Sequence, residues 1–333
     1  MSQTVGGAFA RFRELTVDLE PDVTKAGRSS RNFLIGRLAS VASTSPEFPR
    51  LASQSRPYGS FARRTKIQPL NDIDFLLGLN GTGVQAETSP SGLYTYRLRI
   101  NRPSAPLATF PDQYGYVNST RVLNAIKNHL AKVPNYSRAS ITKNGEVVTL
   151  NLSTRPWKFD IVPSIEVVGR DNVTAYFLIP NGSGNWIRTD PRIDDANTTR
   201  CNTRHGGLFL PTIRLLKYWN RRIHKPQLPS YYFETIAIHT FSNVAQISDL
   251  PSAIHHFFQL GPMYVGSSCA DPKGLGPALD RDIAGDTKNK VITAMQNAAR
   301  KAAEALGYQQ RNRQKDALVL WGQIFGPDFP PYG

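Results

Sequence analysis

The stretch that decides the fold covers residues 56–77 and reads "RPYGSFARRTKIQPLNDIDFLL". It ends in two acids, Asp72 and Asp74, that are separated by the apolar Ile73. Because alternate residues of a β-strand face the same side, Ile73 predicts a strand with one buried face and both acids on the other face. Two neighbouring carboxylates repel each other, and a divalent cation relieves that repulsion. The stretch therefore predicts a metal-binding strand, although most Asp-x-Asp strings consist of a turn cap and a solvated acid.

The turn before this strand has the composition of a phosphate-binding loop. Gly59 lets a phosphate approach the backbone, while the Ser60 hydroxyl and the free N–H groups of a helix start donate hydrogen bonds to it. The alternative is that the pair forms an ordinary helix N-cap. The acids that follow favour a platform for phosphate and metal.

A third acid, Asp160, lies in the later segment "KFDIVPSIEVV". Its neighbours Phe159 and Ile161 are apolar, so we expect their side chains in the core and the Asp160 carboxylate on the opposite face. This acid is the best candidate for completing a site that holds two metal ions. The alternative is an ion pair with a nearby cation such as Arg155.

Composition places the chain among globular proteins with polyanionic partners. It has 333 residues and a formal net charge of +15, which predict two domains or lobes and favour nucleotides or nucleic acid as ligands. Its two cysteines, Cys201 and Cys269, are too few for a disulfide framework. No stretch reaches the ~18 apolar residues of a membrane span, and no export signal is recognisable. We expect a cytoplasmic protein that does not enter a membrane.

Apolar periodicity divides the chain into two parts. Residues 8–41 predict one or two long helices with an interruption at Pro21, and the segments up to about residue 190 predict a helix-flanked mixed sheet. Beyond that point the spacing is helical. We therefore predict an α+β fold with two lobes, a core with an N-terminal helix in residues 1–190 and an α-helical domain in residues 191–333.

The order of these motifs resembles the polymerase-beta-like nucleotidyltransferase superfamily, which has a Gly-Ser turn, an Asp-x-Asp strand and a lone Asp on a later strand. Farther along, "GGLFLPTIRLLKYWNRR", "LPSYYFETIA" and "WGQIFGPDFP" are similar to the helical, OAS-like half of the cGAS/DncV-like nucleotidyltransferases, the CD-NTases of bacterial anti-phage signalling. The similarity covers roughly residue 32 to the C-terminus.

The resemblance implies a role for each matching position. Asp72, Asp74 and Asp160 would bind two Mg²⁺ ions, with Mn²⁺ as an alternative, and Asp160 would also activate the attacking ribose hydroxyl. The positions implied to hold the nucleotide are Gly59 and Ser60 for the donor triphosphate, Lys217 for its charge, Ser230 for a phosphate and Tyr231 for stacking with the donor base.

Three of these residues also have simpler interpretations. Lys217 lies four residues after Ile213 at the flank of an apolar helix face, where a lysine ordinarily extends to water. Ser230 precedes a helical segment and is a candidate cap. Tyr231 is equally a candidate for packing between the lobes.

Two weaker signals lie in the second half of the chain. Cys201 and His205 resemble the start of a zinc site, but a single further cysteine is available, so we do not expect structural zinc. The chain ends in "PDFPPYG", which predicts an exposed tail whose terminal Gly333 suits covalent attachment by ubiquitin-like machinery, as in some family members.

The predicted activity is the synthesis of a cyclic di- or trinucleotide second messenger from nucleoside triphosphates, in anti-phage (CBASS) signalling. Paired Mg²⁺ ions, in the cleft between the lobes, would assist each nucleotidyl transfer. One alternative is a template-independent RNA adenylyltransferase or linear oligoadenylate synthase, which would use the +15 charge to hold RNA. Another is a catalytically silent scaffold that binds nucleic acid. Whether a nucleic acid activates the protein is not readable from the sequence.

Overall fold

The computed structural model describes residues 1–223 and 226–333, which form two compact units. The sheet unit comprises residues 21–63 and 70–191, and the helical unit comprises residues 1–20, 64–69 and the described part of 192–333. The chain passes into the helical unit for the last time after residue 191, and the sequence predicts this boundary after residue 190. The sequence also predicts that the first 20 residues belong to the sheet core, whereas in the structure they pack with the helical unit.

One mixed β-sheet forms the framework of the sheet unit. Its strands are β1 (Arg56–Tyr58), β2 (Asp72–Leu79), β3 (Val84–Thr88), β4 (Thr95–Ile100), β5 (Ser140–Asn144), β6 (Val147–Asn151), β7 (Lys158–Val168), β8 (Thr174–Pro180) and β9 (Trp186–Thr189). They lie in the order β1-β2-β7-β8-β9-β4-β3, and the β5–β6 hairpin joins β7 through β6. The pair β2–β7 is parallel. The predicted mixed sheet is confirmed, and the β5–β6 turn lies at Asn144-Gly145, a pair that favours tight hairpin turns.

Helices accompany the sheet where capping and apolar spacing predict them. They are α2 (Pro21–Thr44), α3 (Gly59–Ala62) and α4 (Ser119–Leu130). The Asn118 side chain accepts a hydrogen bond from the Arg121 N–H at 3.1 Å, so it caps α4. Val122, Ile126 and Leu130 are buried on one face of this helix. Local signals alone are therefore sufficient to define this element.

The helical unit is built from segments at both ends of the chain. Its helices are α1 (Val5–Phe12), continued by a π-helical turn (Arg13–Val17), α5 (Pro191–Arg204), α6 (Phe209–Tyr218), α7 (Ser230–Ser242), α8 (Leu250–Gly266), α9 (Gly285–Gln310) and α10 (Gln314–Phe325). A π-helical turn, Trp219–Ile223, extends α6. Within the described ranges, no helix combines the length and the apolar character needed to cross a membrane.

An aromatic cluster explains why the N-terminal helix belongs to this unit. Phe9 on α1 contacts the rings of Trp321, Phe325 and Phe329 edge to face, with centroid separations of 5.0, 5.7 and 5.1 Å. Such geometry adds to the stabilisation from apolar burial. The sequence spacing of α1 predicts an apolar face but not its partners, which lie more than 300 residues away along the chain.

The C-terminal segment is more ordered than the exposed tail that the sequence predicts. In residues 327–333, Phe329 and the residue after it are buried, whereas the other five residues are exposed. The main chain of Ser2 donates to the Pro331 carbonyl at 2.9 Å and accepts from the Gly333 N–H at 3.2 Å. The predicted exposure thus applies to most of this segment, while main-chain pairing with the N-terminus holds its last residues in place.

The aromatic cluster leads to a stability prediction. Phe9→Ala removes a fully buried ring and should lower the free energy of unfolding by about 3–5 kcal/mol, measured by urea denaturation. Phe33→Ala is the matched control, since Phe33 is 52% exposed. Equal losses for the two variants would contradict the assignment of α1 to this core.

Candidate active site

The register of two strands brings the predicted acids together on one face of the sheet. In the parallel pair β2–β7, Asp74 lies opposite Asp160 and Asp72 lies opposite Lys158. Ile73 is fully buried on the other face of the sheet, whereas the three acids are half-buried. Because neighbouring strands are about 4.8 Å apart, in-register residues share a face and are adjacent. The three carboxylates thus occupy the face that sequence alternation predicts for them.

Gly59 lies directly against one of these acids. Its backbone has φ +72°, and a Cβ added at this position would overlap the Asp74 carboxylate. Tyr58, which precedes Gly59, is the antiparallel partner of Asp74 and the N-cap of α3. Ser60 is therefore within the first turn of α3, and the cap interpretation of the Gly-Ser pair is wrong. Only glycine fits both the positive φ and the close approach.

Two neighbours hold the Asp160 carboxylate. The Thr149 hydroxyl on β6 donates to Asp160 Oδ1 at 2.6 Å, and Lys158 Nζ lies 3.1 Å from Asp160 Oδ2. The ion-pair alternative is thus realised by Lys158, whereas Arg155 lies over the Trp157 ring at 5.7 Å. Thr149 was not anticipated from the sequence, because the register that aligns it with Asp160 is a tertiary property.

The donor set on this face fits Mg²⁺ in its chemistry. Carboxylate oxygens are hard ligands, and Mg²⁺ is ordinarily held by a few carboxylates together with substrate phosphates. Glycine at position 59 leaves the Asp74 carboxylate room that a side chain would fill. As the side chains stand, Lys158 supplies the positive charge beside Asp160. Among residues 1–223 and 226–333, no three His, Cys, Asp or Glu side chains are grouped around a common metal position.

In the helical unit, Lys217 has a buried acidic partner. It is 6% exposed, and its Nζ donates to Glu234 Oε1 at 2.6 Å. Glu234 Oε2 accepts from the Thr65 hydroxyl at 3.0 Å. The interpretation of Lys217 as a lysine that extends to water is therefore wrong. The sequence gives one signal for Glu234, which is an acid in the otherwise apolar "YYFETIAI".

Ser230 is the first residue of α7, and Pro229 is its N-cap without a side-chain hydrogen bond. The alternative that Ser230 caps this helix is therefore wrong. Its proposed contact with a phosphate remains a prediction.

Tyr231 belongs to a network of charged side chains in the helical unit. Its hydroxyl donates to Asp194 Oδ1 at 2.7 Å and contacts Lys273 Nζ, which lies 4.1 Å from the centre of its ring. Lys273 Nζ is also 3.1 Å from Asp271 Oδ1. The family resemblance implies a role for Tyr231, but the sequence does not identify these partners, because they are 37 to 42 residues away along the chain.

The residues of the weak zinc signal have other roles. His205 is fully buried, its Nε2 pairs with the Phe241 carbonyl at 2.9 Å, and its Nδ1 accepts from the Ile247 N–H at 3.3 Å. Burial raises the pKa of Cys201 to about 12 and that of Cys269 to about 11. Both ring nitrogens of His205 thus have main-chain partners.

Comparison with known proteins identifies relatives over the whole chain. A protein of Bacillus cereus (strain VD146) named as a probable cyclic nucleotide synthase is 33% identical over 336 residues, which cover 100% of this chain and 99% of that protein. The structure of CdnC from Escherichia coli MS115-1 with ATP has a TM-score of 0.70 at 19% identity and covers 98% of both chains.

A second solved structure is that of Vibrio cholerae DncV cyclic AMP-GMP synthase with the linear intermediate pppA(3′,5′)pG. It has a TM-score of 0.66 at 12% identity, and the match covers 99% of this chain and 97% of that one. No protein-family model matches the sequence. The two structures share the fold of this chain.

The buried Lys217–Glu234 pair leads to a prediction on stability. Glu234→Met should lower the free energy of unfolding by about 3–5 kcal/mol, because it removes the carboxylate that faces a buried ammonium. The double variant Lys217→Met with Glu234→Met should lose less, since no buried charge is then left without its partner. Urea denaturation measures both, and a double variant that is no more stable than Glu234→Met would contradict the pairing.

The raised thiol pKa values lead to a prediction on reactivity. At pH 8 a thiol with a pKa of about 11 is about 0.1% thiolate, so the folded protein should resist iodoacetamide at both cysteines. Unfolding in urea without a reductant should expose two reactive thiols, counted by intact mass. Fewer than two alkylations after unfolding would indicate a disulfide or a bound metal instead.

Proposed function

Because the chain belongs to the cGAS/DncV-like nucleotidyltransferases, the family of cyclic nucleotide synthases, we propose that it joins nucleoside triphosphates into a cyclic di- or trinucleotide second messenger. It is an enzyme of the nucleotidyltransferase class. The repeated step is the attack of a ribose 2′- or 3′-hydroxyl on the α-phosphate of a triphosphate. The biological role in the proposal is anti-phage signalling in the bacterial cytoplasm.

The observation that supports this proposal most strongly is the in-register pairing of Asp74 with Asp160, beside a Gly59 that leaves room for a carboxylate. In the proposal Asp72, Asp74 and Asp160 hold two divalent ions, Mg²⁺ or Mn²⁺. When bound, such ions stabilise the negative charge that develops on the phosphate oxygens during an in-line displacement.

The side chains around Asp160 support the role of general base that we assign to it. Thr149 donates to Oδ1 and so fixes the plane of the carboxylate. Asp160 Oδ2 is the atom to which we assign the proton of the attacking hydroxyl, with Lys158 as its neighbouring charge. A general base needs this kind of orientation, because geometry determines whether the proton is within reach.

The remaining residues bind and orient the donor nucleotide. Gly59 and Ser60 offer N–H and hydroxyl donors to the triphosphate at the start of α3. Lys217 and Ser230 are assigned to phosphate oxygens, and the ring of Tyr231 to the donor base. The solved relatives support triphosphate donors, since CdnC was determined with ATP and DncV with a linear 5′-triphosphate intermediate.

Conjugation of Gly333 by ubiquitin-like machinery is a further part of the proposal. The two main-chain hydrogen bonds between Ser2 and the last three residues hold the C-terminus in place. Attachment to another protein therefore requires this pairing to accommodate or to release the terminal carboxylate.

The activity is tested with purified protein and labelled nucleoside triphosphates alone. We expect a phosphatase-resistant product without RNA, and Asp160→Asn should reduce its rate by about 100-fold or more, because a general base is lost. The matched control is Asp171→Asn in the exposed β7–β8 turn, where an amide oxygen still accepts from the Val173 N–H.

Two outcomes would contradict the proposal. A product that forms only with an RNA primer would indicate an RNA adenylyltransferase. Equal behaviour of the wild type, Asp160→Asn and Asp72→Asn combined with Asp74→Asn would favour the silent scaffold.

A further inference from the structure

The ring of Tyr231 is held by a lysine that no motif of the sequence singles out. We propose that Lys273 is a positioning residue that fixes the Tyr231 ring for stacking with the donor base, an inference that rests on the proposed function. Lys273 lies in the segment between α8 and α9, whereas Tyr231 is in the first turn of α7. The contact therefore joins two parts of the helical unit.

A tight turn presents the Lys273 side chain to the ring. Asp271 Oδ1 accepts from the Lys273 N–H at 3.2 Å, and Asp271 Oδ2 accepts from the Leu275 N–H at 3.1 Å. The Gly274 N–H donates to the Asp271 carbonyl at 2.8 Å, and Gly274 has φ +65°. The sequence "DPKG" provides proline and glycine at the positions that such a turn prefers. Lys273 thus extends from a rigid backbone.

The rest of the segment is anchored independently of Tyr231. The Cys269 N–H donates to Asp280 Oδ1 at 2.8 Å, and Lys288 Nζ from α9 donates to Asp280 Oδ2 at 2.5 Å. The Leu279 N–H donates to the Cys269 carbonyl at 2.8 Å. These bonds close the segment on itself, so its fold does not require the contact between Lys273 and the ring.

The Lys273 ammonium meets the ring at its hydroxyl end. It contacts the phenol hydroxyl and lies 4.1 Å from the ring centroid, so it sits beside the oxygen rather than above the centre of the ring. The hydroxyl is fixed from a second direction by Asp194, which is 3.6 Å from Lys273 Nζ. The Lys273 side chain is 11% exposed, and a hydrogen bond from a charged, largely desolvated donor is stronger than one between neutral groups.

These contacts fix the orientation of the ring. The two partners of the hydroxyl, Asp194 and Lys273, define the tilt of the ring, which is half-buried. In the proposal a base stacks on a ring that is already in its final orientation. Preorganisation of this kind improves binding because less conformational freedom is lost. The alternative is that Lys273 only forms structural ion pairs with Asp194 and Asp271. In that case its replacement would affect stability and not nucleotide binding.

The test is a double-mutant cycle measured as kcat and KM for the triphosphate that the wild type consumes. Lys273→Met should raise KM by about tenfold, the loss expected when base stacking is misaligned, with little change in kcat. Tyr231→Leu should raise KM at least as much. In the Tyr231→Leu background, Lys273→Met should add nothing, because the ring that it positions is gone.

Lys288→Met is the matched control, since it removes a lysine from a buried carboxylate of the same segment without a direct contact with Tyr231. It should lower the unfolding temperature and leave KM unchanged. Tyr231→Phe is a second probe. It keeps the ring, removes the hydroxyl contacts and should still fold. We expect it to raise KM severalfold.

Three outcomes would overturn the inference. The first is an unchanged KM in both Lys273→Met and Tyr231→Phe. The second is that Lys273→Met raises KM by the same factor in the wild type and in Tyr231→Leu, which would indicate a structural role. The third is a wild-type KM in Tyr231→Leu with normal product, which removes the stacking assignment while the synthase activity stands. Absence of any product from the wild type would instead overturn the proposed function.

Discussion

The in-register parallel pairing of β2 with β7 is the constraint on which the candidate site depends. It sets Asp74 beside Asp160. The apolar residues that flank these acids along each strand, such as Ile73 and Phe159, face the other side of the sheet. A shift of the register by one residue would move every side chain of one strand to the opposite face, and the acids would no longer share one. Fully buried residues such as Ile73 and Phe75 resist that shift, since it would expose them to water. The apolar core of the sheet thus determines the chemistry of its polar face.

In the helical unit, lysines that have little contact with water are paired with carboxylates, close to positions assigned to a polyanionic substrate. Lys217 is buried and the Lys273 side chain is 11% exposed, and each has a carboxylate within 3.1 Å. An unpaired buried charge would cost several kcal/mol, so Glu234 and Asp271 are as necessary as the lysines. The contacts of Lys217 extend through Glu234 to Thr65, and Lys273 contacts Asp194. Thr65 and Asp194 each belong to another segment of the unit. Charge pairing therefore also ties distant segments together.

The sequence predicts those features that depend on local patterns. Alternation identifies the face of Asp72 and Asp74, capping and spacing identify α4, and Asn144-Gly145 identifies a hairpin whose glycine has φ +53°. Motif resemblance supplies the fold class and the family, both of which are confirmed. The roles of the site residues stay predictions.

What the sequence could not supply is the identity of partners that are far apart along the chain. Thr65 reaches Glu234 across 169 residues, and Gln314 on α10 accepts from the Val5 N–H across 309. The grouping of the N-terminal helix with the C-terminal aromatic residues has the same origin. An apolar face predicts burial, but every other apolar face is an equally good partner until the chain topology is known.

The most direct test of the shared acidic face is the binding of Mn²⁺, followed by electron paramagnetic resonance, in the presence of a non-hydrolysable ATP analogue. We predict that the wild type and Asp171→Asn bind the ion only when the nucleotide is present, and that Asp160→Asn loses this nucleotide-dependent binding. The same ion occupancy in Asp160→Asn and in the wild type would contradict the account.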